Sequence, residues 1–135
     1  MSTIKIKTIP FIVAAAIITA GCASQAGYDN ALPSELAVNA ISGTKVLTNS
    51  AGFTVYTFDK DQANVSNCYG PCATKWPPVF ANSAVSNGKF TTTQRKDGRL
   101  QLQYNQQPLY LWVGDKTPGQ TSGDGVKNVW HIVSM

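Results

Sequence analysis

Residues 56–61 read YTFDKD and residues 110–115 read YLWVGD. Each stretch places a tyrosine, a second aromatic ring two residues on, and an aspartate three residues after that. In extended backbone alternate side chains share a face. Tyr56 and Phe58 therefore point one way and Val55 and Thr57 the other; Tyr110 and Trp112 share a face opposite Leu109, Leu111 and Val113. Both faces are apolar in each copy, which marks a strand covered on both sides, with an aliphatic layer beneath and an aromatic layer above. Asp61 and Asp115 come just after these strands. There a carboxylate can accept the backbone N–H groups of the next turn, a tyrosine hydroxyl or an indole N–H.

The phrase belongs to a longer repeat. A shift of 54 residues carries Tyr56 to Tyr110, Phe58 to Trp112, Asp61 to Asp115, Trp76 to Trp130 and Val79 to Val133. The same shift sets Val55 on Leu109, Lys45 on Arg99 and Val46 on Leu100. Fixed offsets at so many aromatic and acidic positions predict two copies of a unit of about 50 residues. Two copies are too few for an open solenoid. They are expected to pack around a pseudo-twofold axis as one mainly β domain, a small sandwich or barrel-like body with at most short helices. Turns at NSAG and NQQP divide short apolar runs, and PCATKW suits a short helix. The expected domain spans residues 40–135, with repeat 1 over about 43–80 and repeat 2 over about 97–135.

The N-terminus reads as an export signal. Lys5 and Lys7 precede an uncharged apolar stretch, TIPFIVAAAIITAG, and then Cys22. A basic start, a short apolar core and small residues before a cleavage point describe a leader peptide rather than a membrane span. Ala20, Gly21 and Cys22 resemble the lipobox of a bacterial lipoprotein signal, with Thr19 departing from the branched aliphatic usual there. On that reading residues 1–21 are removed, Cys22 carries the lipid, and residues 22–39 form a tether with one helical turn at PSELAV. The residue after Cys22 is Ala23 rather than aspartate, which in a Gram-negative cell implies the outer membrane, facing the periplasm or the surface.

Charge excludes one large class. The chain carries 11 Lys and Arg against 7 Asp and Glu, and two of the lysines lie in the leader. The densest basic cluster, Arg95, Lys96 and Arg99, is interrupted by Asp97 and Gly98. A nucleic-acid partner would demand a stronger electrostatic footprint.

With these residues laid out, residues 43–135 resemble the bacterial secreted-repeat lipoproteins marked by a Tyr-x-aromatic-x-x-Asp motif. The matching stretches are VYTFDKD, CYGPCATKWPPVF, RKDGRLQLQYNQQPLYLWVGD, PGQTSGDGV and VWHIVS. The resemblance implies export and a duplicated unit; it supplies no mechanism, because the family has no established activity.

The copies differ where chemistry can reside. Cys68 and Cys72 in CYGPC face Ser122 and Val126 of the second copy, and His131 faces Pro77 of the first. With Cys22 assigned to lipid, the remaining pair in an exported chain most simply forms a disulfide across a turn favoured by Gly70 and Pro71. The alternative is a copper-handling, redox or haem accessory that uses Cys68, Cys72 and His131, a soft ligand set suited to Cu(I). That set is similar to the ligands of Sco-type copper chaperones, but the βαβ alternation of their thioredoxin-like fold is missing here. The spacing for covalent haem is also missing. Calcium-loop, phosphate-loop and nucleophile-elbow patterns all fail on inspection. A paired-carboxylate role for Asp61 and Asp115 has no independent support. The expectation is a non-enzymatic binding or structural module with no cofactor, held by a membrane lipid anchor. Its partner would be an envelope protein or small ligand, met by Tyr56, Phe58, Asp61, Trp76, Tyr110, Trp112, Asp115 and Trp130.

Overall fold

The computed structural model describes residues 10, 12–14 and 31–135. Cys22 and nearly all of the expected leader lie outside the described residues. Among the described residues eight short strands form the frame: β1 (Leu36–Ile41), β2 (Thr44–Asn49), β3 (Tyr56–Phe58), β4 (Ser86–Asn87), β5 (Phe90–Gln94), β6 (Leu100–Tyr104), β7 (Gln107–Pro108) and β8 (Trp130–Ile132). The short helix α1 (Pro71–Lys75) occupies the expected PCATKW stretch, and a 3-10 turn covers Val126–Asn128. The strands make three antiparallel sheets, β1-β2, β3-β8 and β4-β5-β6-β7. Among the described residues no helix is long and apolar enough to cross a membrane.

The two YxΦxxD segments, β3 in the first copy and an isolated bridge at Tyr110 where a second strand was expected, meet on the pseudo-twofold axis. The Tyr56 N–H donates to the Tyr110 carbonyl at 2.8 Å and the Tyr110 N–H to the Tyr56 carbonyl at 2.9 Å. Equivalent residues that pair with each other in this way straddle the axis. On its outer side Tyr56 pairs with Ile132, and Tyr110 pairs with Pro78. The pattern continues with the Asp59 N–H on the Val129 carbonyl at 2.8 Å and the Val113 N–H on the Lys75 carbonyl at 3.1 Å. The bridges Val46↔Ser134 and Phe80↔Gln101 then attach β2 on one flank and β6 on the other.

Strand register corrects two of the sequence alignments. Val38 pairs with Leu47 in the first hairpin, and Thr92 with Leu102 in the second. β1 thus maps onto β5 with the 54-residue shift, but β2 maps onto β6 one residue later, so Lys45 corresponds to Leu100 and Val46 to Gln101. Repeat 1 turns its hairpin with two left-handed residues, Ser42 at φ 50° and Gly43 at φ 82°. Repeat 2 needs one residue more, closing its loop with the Arg95 N–H on the Arg99 carbonyl at 2.9 Å. The next turn restores the count: Thr48 bridges Thr54, whereas Gln103 pairs with Pro108. Compensating length changes in two turns preserve which side chains face inward, because a lasting one-residue slip would move each strand's apolar set to the wrong face.

The interior divides as strand alternation predicts. The aliphatic layer is built from four pseudo-symmetric pairs: Leu36 with Phe90, Leu47 with Leu102, Val55 with Leu109 and Val79 with Val133. The aromatic layer on the other face holds Tyr56, Tyr110, Trp76, Trp130 and Cys68, all buried. Leu36 in the first layer corrects the tether boundary. The stretch expected to be a tether with a helical turn contains strand β1, paired with β2 along its whole length. Leu36 fills the position that Phe90 fills in the other half, and burial of that side chain against the aliphatic layer outweighs the local helix-start signal of Pro33 and Ser34. The folded domain therefore begins before residue 40.

Candidate functional site

The repeat phrase serves two ends, separated by the position of each ring. Tyr56 and Tyr110 are sealed, each with 0% exposure. Phe58 and Trp112 are half-buried and reach an open cleft.

The sealed tyrosines clamp the halves together. The Tyr56 hydroxyl donates to Asp115 Oδ2 at 2.7 Å, and the Tyr110 hydroxyl donates to Asp61 Oδ2 at 2.6 Å. Each tyrosine thus binds the aspartate of the opposite repeat. The second oxygen of each carboxylate holds its own loop: Asp61 Oδ1 accepts the Asn67 N–H at 2.6 Å, and Asp115 Oδ1 accepts the Ser122 N–H at 3.0 Å and hydroxyl at 2.6 Å. Burial, reinforced by the facing carboxylate, pushes both phenols well above their ordinary range. Burial also raises the Asp61 carboxyl, against the pull of the Tyr110 hydroxyl, the Asn67 N–H and the Arg95 charge.

Repeat 2 adds a buried cation to this clamp. Arg95 Nη1 donates to Ser66 Oγ at 2.8 Å and to Gln101 Oε1 at 2.7 Å, and Nη2 donates to the Cys68 carbonyl at 2.7 Å. Ser66 Oγ lies 2.6 Å from the Tyr110 hydroxyl, so a hydrogen-bonded chain runs from guanidinium to phenol to Asp61. β1 carries Ile41 where β5 leads into Arg95, so repeat 1 has no counterpart to this cation. Nothing in the sequence distinguished Arg95 from its exposed neighbours Lys96 and Arg99.

The cleft sits over the aromatic layer and has a volume of about 370 Å³. Its central feature is a stack of four rings across the axis. Trp76 and Trp130, repeat equivalents, lie 3.8 Å apart at an interplanar angle of 3°. Trp112 stacks on Trp76 at 4.1 Å and Phe58 on Trp130 at 4.2 Å, extending the same arrangement at both ends. Tyr56 meets Trp76 edge-on at 5.5 Å, and Tyr110 meets Trp130 edge-on at 5.2 Å. Gly123 keeps this region close: a Cβ there would lie 2.8 Å from Tyr56 Cζ and 2.9 Å from Trp76. Pro71, Cys72 and Lys75 of α1 border one side, and Val126, Lys127 and Val129 border the other; Lys60 completes the lining. The three lysines went unnoticed in the sequence because they are scattered along the chain and converge only in the fold.

Of the eight expected contact residues, Phe58, Trp76, Trp112 and Trp130 come together in the cleft, while Tyr56, Tyr110, Asp61 and Asp115 form the clamps. Cys68 and Cys72 are joined in a disulfide, as expected. His131 Nε2 lies 2.8 Å from Asp59 Oδ2 on the exposed side. Among the described residues no group of three His, Cys, Asp or Glu side chains is placed to hold a metal ion. The disulfide closes a very short loop and ties the buried Cys68 to α1 on the cleft border. By loop-closure entropy its removal is expected to cost about 2 kcal/mol. Urea denaturation of Cys68→Ser/Cys72→Ser against the oxidised parent checks this, and an unchanged midpoint would show that α1 is held without the bond.

A profile of a protein family described as a secreted repeat of unknown function matches the chain twice, over residues 37–80 and 91–134. The two matches share the 54-residue offset and begin within β1 and β5, in agreement with the strand equivalences above. No curated protein and no solved structure was found to match the chain.

Proposed function

The chain belongs to this family of secreted repeats, and on that premise we propose that it is an exported, lipid-anchored, non-enzymatic binding module of the cell envelope. Cys22 carries the lipid, and the cleft over the four-ring stack is the contact surface. The observation that carries the reading is the cleft itself. The two tyrosines, which hold the halves together, are sealed, whereas Phe58 and Trp112 remain partly exposed beside the buried Trp76 and Trp130. A duplicated fold serving only as a spacer has no need of aromatic side chains left open to solvent between two flanking walls. Cys68 and Cys72 act structurally in this account, shaping the α1 wall rather than serving as copper ligands with His131. Acylation at Cys22 would hold the domain at a membrane surface, since each buried methylene of the attached chains adds about 0.8 kcal/mol of membrane affinity, and Ala23 rather than aspartate after it favours the outer membrane.

Two measurements test the proposal. Metabolic labelling with palmitate should mark the exported protein and leave Cys22→Ser unlabelled; an unlabelled parent would remove the anchor. Nile red (neutral) or anilinonaphthalene sulfonate (anionic) should gain fluorescence saturably at one site, and Trp112→Ala should lose that site while keeping its circular dichroism. If neither dye shows a site sensitive to Trp112, the cleft is not a binding surface.

A further inference from the structure

We infer that the cleft selects an anion with a flat apolar body and an acceptor-only head group, such as an aromatic carboxylate, an inference that rests on the cleft being the binding surface. The side chains lining it fall into two kinds. Phe58, Pro71, Val126 and Val129 offer no polar atom, and Cys72 is tied up in the disulfide. The others, Trp76, Trp112, Trp130, Lys60, Lys75 and Lys127, carry only donors: indole N–H groups and ammonium groups. Neither an indole nor an ammonium accepts a hydrogen bond. Among the described residues the lining therefore contains no side-chain acceptor. A neutral sugar would leave its hydroxyl protons without side-chain partners, and a cation would meet three like charges. A carboxylate has the opposite requirement, because it accepts and never donates.

The neighbouring carboxylates offset part of this field but do not line the cleft. Asp59 and Asp61 flank Lys60 in sequence, yet Asp59 faces His131 at 2.8 Å and Asp61 is engaged by the Tyr110 hydroxyl at 2.6 Å. Among the described residues the carboxylates that meet a basic side chain are Asp97, on Arg99, and Asp59, on His131, so the three cleft lysines have no carboxylate partner there. Lys127 is also held in left-handed backbone at φ 51°, an uncommon conformation for a side chain of its type. Such conformations persist where surrounding structure imposes them, and they concentrate at sites of function. The flat body follows from the ring faces. Phe58 and Trp112 close the two ends of the stack and are its partly exposed members, so a planar ligand can add to one of them in the offset manner that aromatic rings prefer.

The test uses the purified exported protein and three probes that share one ring system: 2-naphthoate, 2-naphthalenemethanol and 2-naphthylmethylammonium. Quenching of tryptophan fluorescence reports binding. The naphthoate is expected to bind about tenfold or more tightly than either of the others, as a charge-assisted hydrogen bond provides. Lys75→Gln/Lys127→Gln should weaken naphthoate about tenfold and leave the alcohol unchanged. Equal affinities for the three probes, a preference for the ammonium, or full naphthoate binding by the double variant would each overturn the charge selection while leaving the cleft a binding site. If none of the three binds and neither dye finds the site, the underlying reading fails as well.

Discussion

Trp130→Ala is expected to destabilise the domain by about 3–5 kcal/mol, a range typical for removal of a buried tryptophan. Trp130 is 3% exposed and sits inside the stack, with Trp76 at 3.8 Å on one face, Phe58 at 4.2 Å on the other and Tyr110 edge-on at 5.2 Å. Truncation would leave a large void at the junction of the repeats, bounded by rings whose own positions depend on the missing one. Neighbours anchored by the tyrosine clamps cannot collapse freely into it, which favours the upper part of the range. Small domains commonly have about 5–15 kcal/mol in total, so the variant should lie near its unfolding threshold. Trp76→Ala should behave alike, since the axis exchanges the two positions. Trp112→Ala is the informative control. Its ring ends the stack and is half-exposed, so about 1–2 kcal/mol is expected. Urea midpoints at unchanged slope make the comparison. If Trp130→Ala proves no more costly than Trp112→Ala, the stack does not carry the shared interior.

The same stack shows how far the sequence could be read. Period-2 alternation around Tyr56 and Tyr110 predicted an aliphatic layer and an aromatic layer, and the structure has both. The reason is local: a strand fixes the side to which each residue points, without reference to what lies there. What the alternation could not give was partner choice. For the aspartate after the strand, turn N–H groups, a tyrosine hydroxyl and an indole N–H all stood open as donors, and the exchange between repeats, Tyr56 to Asp115 and Tyr110 to Asp61, depends on the docking of one half on the other. Strand β1 was missed for a related reason. Leu36 and Val38 alternate too briefly to outweigh a helix-start signal, and pairing with β2 decides the matter. The one-residue difference in the hairpins was invisible because two opposite length changes leave the aromatic offsets intact. The lysines of the cleft carry no pattern at all along the chain.

The crossed clamps lead to the second large effect, cooperative unfolding in alkali. The sign follows from the direction of the shifts. Both phenols are held well above the value of 10.0 that an unperturbed tyrosine shows, through burial first and the adjacent carboxylate second. Below pH 10 both the folded and the unfolded chain keep these protons, and the contribution of the clamps is fully present. Above it the unfolded chain releases them while the folded chain cannot, so stability falls as pH rises and continues to fall until the folded phenols themselves ionise. Each group contributes about 1.4 kcal/mol per pH unit, or about 2.7 kcal/mol per unit for the pair. Two units into this window the loss reaches about 5 kcal/mol, comparable with the whole stability of a small domain. Tyrosinate absorbance followed together with tryptophan fluorescence should therefore show exposed phenols titrating smoothly, then a steep step at which the remaining phenols ionise as the fluorescence changes. Tyr56→Phe/Tyr110→Phe keeps the rings but removes the ionisable groups. It should be less stable at neutral pH, where Asp61 and Asp115 lose their tyrosine donors, and its stability should decline far less steeply above pH 10. Smooth ionisation of all the tyrosines in a protein that stays folded would contradict the sealed, carboxylate-facing phenols on which the junction of the two repeats depends.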